Sequence, residues 1–286
     1  MPYYSFAGIH FDFQPEDLPE IPLLRLFKDI CAEKPDIRVC FRACDILEQP
    51  SGKQVLSGII AEGTNMILTD RGSEGISFHL EGESSRIVLS RLDTDSSWDN
   101  ITITYLAKSP YFERYALKLL GNLVLKNKII FYNGLVVHAS AVMHKEKGII
   151  FSAPSGTGKS THARLWEHFL GARVINDDSP ALRIIDGKVL VFGTPWSGST
   201  TRFENSQVPL SAIVILEQSN DNKITVLDSR NAVNRFLPQC YIPFYNRKMC
   251  EMALETFGSV TGSLPVYLLK CRPEKEAMDL VYQCIK

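Results

Sequence analysis

The chain has 286 residues, 45% hydrophobic and 22% charged, which are globular proportions and exclude wholesale disorder. Lys and Arg number 31 against 32 Asp and Glu, so the net charge is −1 and the basic field of a nonspecific nucleic-acid binder is missing. No run of 18 apolar residues, no signal-like N-terminus and an odd seven cysteines without a CxxC pair point away from membrane, secretion, a disulfide framework and zinc, and toward a cytoplasmic chain of reduced thiols.

The first hundred residues read as short strands between turns: Tyr3–Phe13, Ile37–Ala43, Val55–Ile60, Met66–Thr69, Gly75–Leu80, Arg86–Leu92 and Asn100–Tyr105. Pro22–Lys34 reads as a helix, with Leu23, Leu24, Leu26 and Phe27 on one side. A boundary falls near Lys108-Ser109-Pro110. It gives a β-rich region 1–109, suited to recognition or assembly, and a mixed α/β region 110–286.

The second region opens with a helical pattern over Tyr111–Leu125. A strand over Leu135–Met143, a polar turn at His144-Lys145-Glu146-Lys147 and a short apolar strand Gly148–Ser152 follow. A helix Lys159–Leu170 and a strand Ala172–Ile175 come next, and Asp186-Gly187 joins Ala181–Ile185 to Lys188–Phe192 as a hairpin. Late strands are expected at Ala212–Leu216 and Val266–Leu269, with helices at Ser229–Leu237, Asn246–Phe257 and Lys275–Ile285.

Chemistry concentrates at the start of the Lys159 helix. Ala153-Pro154-Ser155-Gly156-Thr157-Gly158-Lys159-Ser160 has the P-loop (Walker A) form, with Ala at its first position, between an apolar strand and an amphipathic helix. Such a loop needs small residues so that backbone N–H groups can wrap phosphates. Ser155, Gly156, Thr157 and Gly158 would form the cradle of a nucleotide such as ATP. Lys159 would reach its outer phosphates, the Ser160 hydroxyl would ligate Mg²⁺, and Thr161 opens the helix, whose dipole favours anions. The alternative is a glycine loop without function.

Eighteen residues after Lys159, an apolar strand ends in Asn176-Asp177-Asp178. Two acids beside a P-loop suit a division between metal ligand and proton acceptor, although Asp-Asp-Ser-Pro is also good turn chemistry. His138, in an apolar strand ahead of the P-loop strand, is either a core histidine or a group carried to the phosphates. Phe192-Gly193-Thr194-Pro195-Trp196-Ser197-Gly198 runs on through Ser199-Thr200-Thr201 to Arg202. Thr194, Trp196, Ser197 and Arg202 could contact acceptor or phosphate, or the loop is a turn with Trp196 plugged into the core. His162, Trp166 and His168 read as packing or solvent residues.

From His138 through Ser-Gly-Thr-Gly-Lys-Ser to Asn176-Asp177-Asp178 the chain resembles the catalytic core of bacterial HPr kinase/phosphorylase, in the superfamily of ATP-dependent phosphoenolpyruvate carboxykinase. The Gly-Thr-Pro-Trp-Ser-Gly loop looks more like HPr-kinase-related proteins found beside peptide-modification genes. The resemblance implies an HPr-kinase-like P-loop core. It also implies ATP- and Mg²⁺-dependent phosphorylation of a hydroxyl, most simply Ser or Thr of a peptide or small protein, and is compatible with self-association. It would make Lys159, Asp177, Asp178 and His138 catalytic, with Ser160 and Asp178 on the metal. The chain departs from the family at Pro154, where Glu is usual, at Thr161, again in place of Glu, and in having no recognisable Arg-Gly-Leu-Gly segment. HPr as acceptor, phosphorolysis and the family hexamer are therefore not implied. A small-molecule hydroxyl kinase and a non-catalytic nucleotide sensor are the other readings of the same residues.

Overall fold

The computed structural model describes residues 3–14, 22–61, 63–107, 112–198 and 202–285. By its internal contacts the chain divides into two units, Met1–Lys128 and Ile129–Lys286. The boundary expected at 108–110 lies outside the described residues. The helical segment after it belongs with the first unit, because Ala116, Leu117 and Leu120 are buried and the segment packs on that unit's strands. The division therefore falls after Lys128 rather than after Ser109.

The first unit is built on β1 (Tyr3–Phe6), β2 (Ile9–Gln14), β3 (Lys28–Asp29), β4 (Ile37–Cys44), β5 (Lys53–Ala61), β6 (Thr64–Asp70), β7 (Ile76–Gly82), β8 (Val88–Thr94) and β9 (Asn100–Leu106). They form one sheet in the order β3-β1-β2-β4-β9-β8-β7-β6-β5, parallel at β2/β4 and β4/β9 and antiparallel elsewhere. Alternation along the strands buries Phe11, Val39, Phe78, Leu80, Leu92 and Ile103. A π-helical segment Phe112–Gly121 and α1 (Asn122–Lys128) follow β9, and the first of them packs on β8 and β9.

Two expectations fail here. Tyr3–Phe13 is a hairpin rather than one strand, since Ala7 and Gly8 both take positive φ and turn the chain back. The expected helix Pro22–Lys34 is a 3₁₀ turn, Pro22–Phe27, followed by β3 paired to β1. The Asp29 carboxylate accepts from the Cys31 N–H at 2.8 Å, a turn that competes with helix continuation.

The second unit, a mixed α/β fold, carries the site. Its strands are β10 (Gly134–Val136), β11 (Ala139–His144), β12 (Lys147–Ser152), β13 (Arg173–Asn176), β14 (Ala181–Ile185), β15 (Lys188–Phe192), β16 (Gln207–Gln218), β17 (Lys223–Val226) and β18 (Val266–Cys271). Its helices are α2 (Lys159–Leu170), α3 (Ser229–Phe236), α4 (Arg247–Ser263) and α5 (Lys275–Ile285). The sheet runs β10-β14-β15-β16-β12-β11-β13, with β18 also on β16 and β17 on β18. β12 and β18 both run parallel to β16, so the carboxyl ends of the three open on one edge, where ligands of open α/β sheets bind.

One face of this sheet packs on α2 and α5. Ile149, Phe151, Val214 and Leu269 meet Ala163 and Trp166 of α2 and Met278 and Val281 of α5. Fully burying side chains of this size contributes about 1.5–3 kcal/mol each, which anchors α2 and hence the loop before it. The Lys145-Glu146 turn and the Asp186-Gly187 turn both form hairpins, each with two positive φ values. The expected strand Leu135–Met143 is broken. β10 pairs with β14, β11 pairs with β12 and β13, and His138 sits at the bend between them.

Candidate active site

β12 ends at Ser152 and α2 begins at Lys159, so residues 153–158 form the loop at the carboxyl edge. Gly156 and Gly158 have φ of 79° and 113°, values that side-chain-bearing residues rarely adopt. A Cβ at either would meet open space, so glycine is required by backbone conformation and not by crowding. Gly158 caps α2 without a side-chain hydrogen bond. The N–H groups of the first turn therefore lack intrahelical acceptors and point where an anion would sit.

Lys159 is only 7% exposed. Its Nζ donates to the carbonyls of Ala153 (2.9 Å) and Pro154 (3.3 Å) and lies 2.8 Å from His138 Nε2. Burial pushes its pKa below the ordinary lysine value, and the nearby Asp178 acts in the other direction. An ammonium has three donors and three acceptors are within reach, so His138 Nε2 accepts. The ring proton then sits on Nδ1, 3.3 Å from Asp178 Oδ1. His138 is fixed by its backbone: its N–H donates to the Gln239 carbonyl (2.7 Å) and its carbonyl accepts from Ser152 Oγ (2.9 Å). It lies one residue beyond the last β11/β12 pair, Ala139 with Ser152, and the hairpin brings it to the loop as expected.

The two acids differ. Asp177 is 5% exposed and accepts from the Gly198 N–H at 3.2 Å. Burial raises its pKa above the usual carboxylate value, against the lowering effect of that hydrogen bond. Asp178 is half-buried and accepts from Ser179 Oγ at 2.8 Å. A cleft of about 380 Å³ is lined by His138, Lys159, Ser160, Asp177 and Asp178 together with Ser155, Gly156, Gly158, Thr161 and Gly198. The cleft thus brings together the P-loop residues, the histidine and the two acids singled out from sequence, but not Thr157, which lies on the loop's other side, nor Thr194, Trp196, Ser197 and Arg202.

Asn176 was not singled out as a site residue, yet it organises both acids. It is fully buried, and Oδ1 accepts from the N–H groups of Asp178 (2.9 Å) and Ser179 (2.8 Å). Its Nδ2 reaches the Thr194 carbonyl (2.9 Å), Thr194 Oγ1 (3.2 Å) and the Trp196 carbonyl (3.2 Å). The Asp-Asp turn and the Gly193–Gly198 loop are therefore one hydrogen-bonded unit. The only sequence cue was an amide directly before two acids at a strand end.

The expectation for that loop needs correction. Thr194 is fully buried, and its Oγ1 donates to the Ser179 carbonyl at 2.8 Å, so its hydroxyl is spent inside the protein. Trp196 is 5% exposed and belongs to the core rather than to an open surface. Ser197 is half-buried beside Gly198, the residue of this loop that reaches the cleft. Arg202 pairs with Glu167 on α2 and acts on Asp177 only through its charge. Ser199, Thr200 and Thr201 lie outside the described residues.

The donor set fits Mg²⁺ and a nucleotide. Among the described residues no group of three His, Cys, Asp or Glu side chains could hold a metal by itself. Mg²⁺ characteristically takes one or two carboxylates and completes its shell with phosphate oxygens and water, and the Ser160 hydroxyl and Asp178 supply hard oxygens of that kind. The loop's open cradle and uncapped helix start supply the phosphate side.

No family model matches the chain, and no curated protein matches it. Among solved structures it is similar to the HPr(Ser) kinase/phosphatase from Coxiella burnetii, at 10% identity and a TM-score of 0.31, over 52% of this chain and 94% of that one. The relationship is a distant structural one.

Proposed function

We propose that this chain is a magnesium-dependent kinase that transfers the terminal phosphoryl group of a nucleoside triphosphate, ATP in the first instance, to a hydroxyl. The observation that carries the reading is the convergence of Lys159, Ser160, His138 and two unlike carboxylates on one cleft at the start of α2. A cradle alone would serve a binding module. A buried carboxylate with a raised pKa beside it suits proton acceptance.

Asp177 is the general base in this reading. It takes the acceptor's O–H proton as the acceptor oxygen bonds to phosphorus, and the bond to the bridging oxygen breaks to release the nucleoside diphosphate. Asp178 and Ser160 would hold the metal, which would supply neutralisation of phosphate charge. Lys159 exchanges the carbonyls of Ala153 and Pro154 for phosphate oxygens. His138, oriented by the Gln239 carbonyl, sets where Lys159 Nζ rests. The acceptor we propose, Ser or Thr of a peptide or small protein, rests on the sequence resemblance alone.

The test is transfer from γ-labelled ATP with Mg²⁺ to small-molecule, peptide and protein fractions of a host extract, with Lys159→Ala as control. Lys159-dependent label in the peptide or protein fraction supports the reading in full. Label in the small-molecule fraction keeps the kinase and overturns the acceptor. Intact ATP binding with no label in any fraction overturns the kinase in favour of a sensor.

A further inference from the structure

Beside the reaction cleft, and sharing Gly156, Gly158 and Thr161 with it, lies a second cleft of about 550 Å³. Leu216 and Gln218 at the carboxyl end of β16 line it, with Cys271 at the end of β18, Pro273 just beyond it and His162 of α2. Its charged residues are already paired. Glu217 is held by Arg235 and Lys270, and Arg272 by Glu274. The reaction cleft, by contrast, holds Lys159, Asp177 and Asp178. A ligand spanning both would place its anionic end in the first and an uncharged end in the second.

His162 is the unexplained group. It is 2% exposed, and neither ring nitrogen has a hydrogen-bond partner among the described residues. Its two ring nitrogens are hydrogen-bonding groups that the described residues themselves do not meet. Its ring stands edge-on to Phe151 with centroids 4.5 Å apart, so packing fixes its orientation. A leucine or phenylalanine would fill such a space without burying two unmet polar atoms, and buried polar groups without partners call for an explanation.

We propose that this second cleft takes the ribose and base of the donor nucleotide, and that His162 is their hydrogen-bond partner. The proposal rests on the phosphoryl-transfer reading of the neighbouring cleft. The bound triphosphate lies along the start of α2, with Thr161, common to both clefts, at the junction. The apolar wall and the unpartnered imidazole suit a planar heteroaromatic ring with polar edges.

Calorimetry of the full chain with Mg²⁺ separates the two readings, using ATP and inorganic tripolyphosphate as probes. Wild type is expected to bind ATP about tenfold or more tighter than tripolyphosphate, the scale of one or two well-made hydrogen bonds plus ring contact. His162→Phe keeps a ring and removes both nitrogens. It should erase most of that advantage and leave tripolyphosphate binding within about twofold, with His162→Gln recovering part of it. Ser219→Trp, at the cleft wall, should do the same by filling the space, and stands in if His162→Phe does not fold. Equal affinities for the two probes in wild type overturn the inference and leave the phosphate cradle standing. So does a His162→Phe or Ser219→Trp variant that weakens both probes alike or neither. Failure of wild type to bind either probe overturns the phosphoryl-transfer reading itself, and this inference with it.

Discussion

Removing the Asn176 side chain is the sharpest structural test of the site. Asn176→Ala removes, from a fully buried position, the acceptor of the Asp178 and Ser179 N–H groups and the donor to the Thr194 and Trp196 carbonyls. Each neutral hydrogen bond contributes about 0.5–1.5 kcal/mol net, and each buried group left unpaired costs about 1–3 kcal/mol. Partial relaxation of the two loops offsets some of this, so the expected loss is about 3–5 kcal/mol, or on the order of 10 °C in Tm. Because the Asp-Asp turn loosens, turnover should fall further than nucleotide affinity, which depends on the loop before α2. Urea unfolding followed by far-UV circular dichroism reads the first effect. Parallel ATP titration and kcat measurements read the second. An Asn176→Ala variant within about 0.5 kcal/mol of wild type, with unchanged kcat, would show that the hub does not hold the acids.

Two further outcomes follow from the same geometry. The fold raises the pKa of Asp177, so between its unfolded value near 3.8 and its folded value the native state binds the extra proton. Its stabilising effect is complete below that window and is lost as pH rises through the folded pKa. Ligand-free Asp177→Asn should therefore be more stable than wild type at neutral pH, with the gap narrowing as thermal melts are taken toward pH 3.8. Gly158→Ala places a Cβ in open space but at a φ of 113°, so it should cost about 1–3 kcal/mol from backbone strain and weaken ATP binding at least tenfold, read by calorimetry and a thermal melt.

What could be read from the sequence was local. The P-loop is visible because its glycines, Lys159 and Ser160 act at fixed offsets in one turn of chain, and its strand and helix flank it directly. His138 was placed by a short hairpin whose Lys145-Glu146 turn is equally local. Asn176 could not be weighed, because its partners Thr194 and Trp196 lie some twenty residues on and meet it only through the fold. The same long-range bonds explain the misreading of Thr194, since a hydroxyl in a Gly- and Pro-rich loop gives no sign that it turns inward. β16 was expected to begin at Ala212, but Pro209, which interrupts the apolar run, conceals the stretch from Gln207 that pairs antiparallel with β15. The Pro22–Lys34 segment shows the limit of apolar spacing as a guide. Its leucines suggested a helix, and the pairing of β3 with β1 and the Asp29 turn decided otherwise.

The central claim is that the cleft at the start of α2 transfers phosphate rather than only binding nucleotide. Asp177→Asn examines it most directly, because it removes one proton acceptor, retains an oxygen for the Gly198 N–H and leaves the phosphate loop alone. With an acceptor fraction that wild type labels, single-turnover transfer from γ-labelled ATP should fall by at least about a hundredfold, the low end of general-base effects, while ATP affinity measured on the same preparation stays within about twofold. Transfer by Asp177→Asn at the wild-type rate would contradict the account.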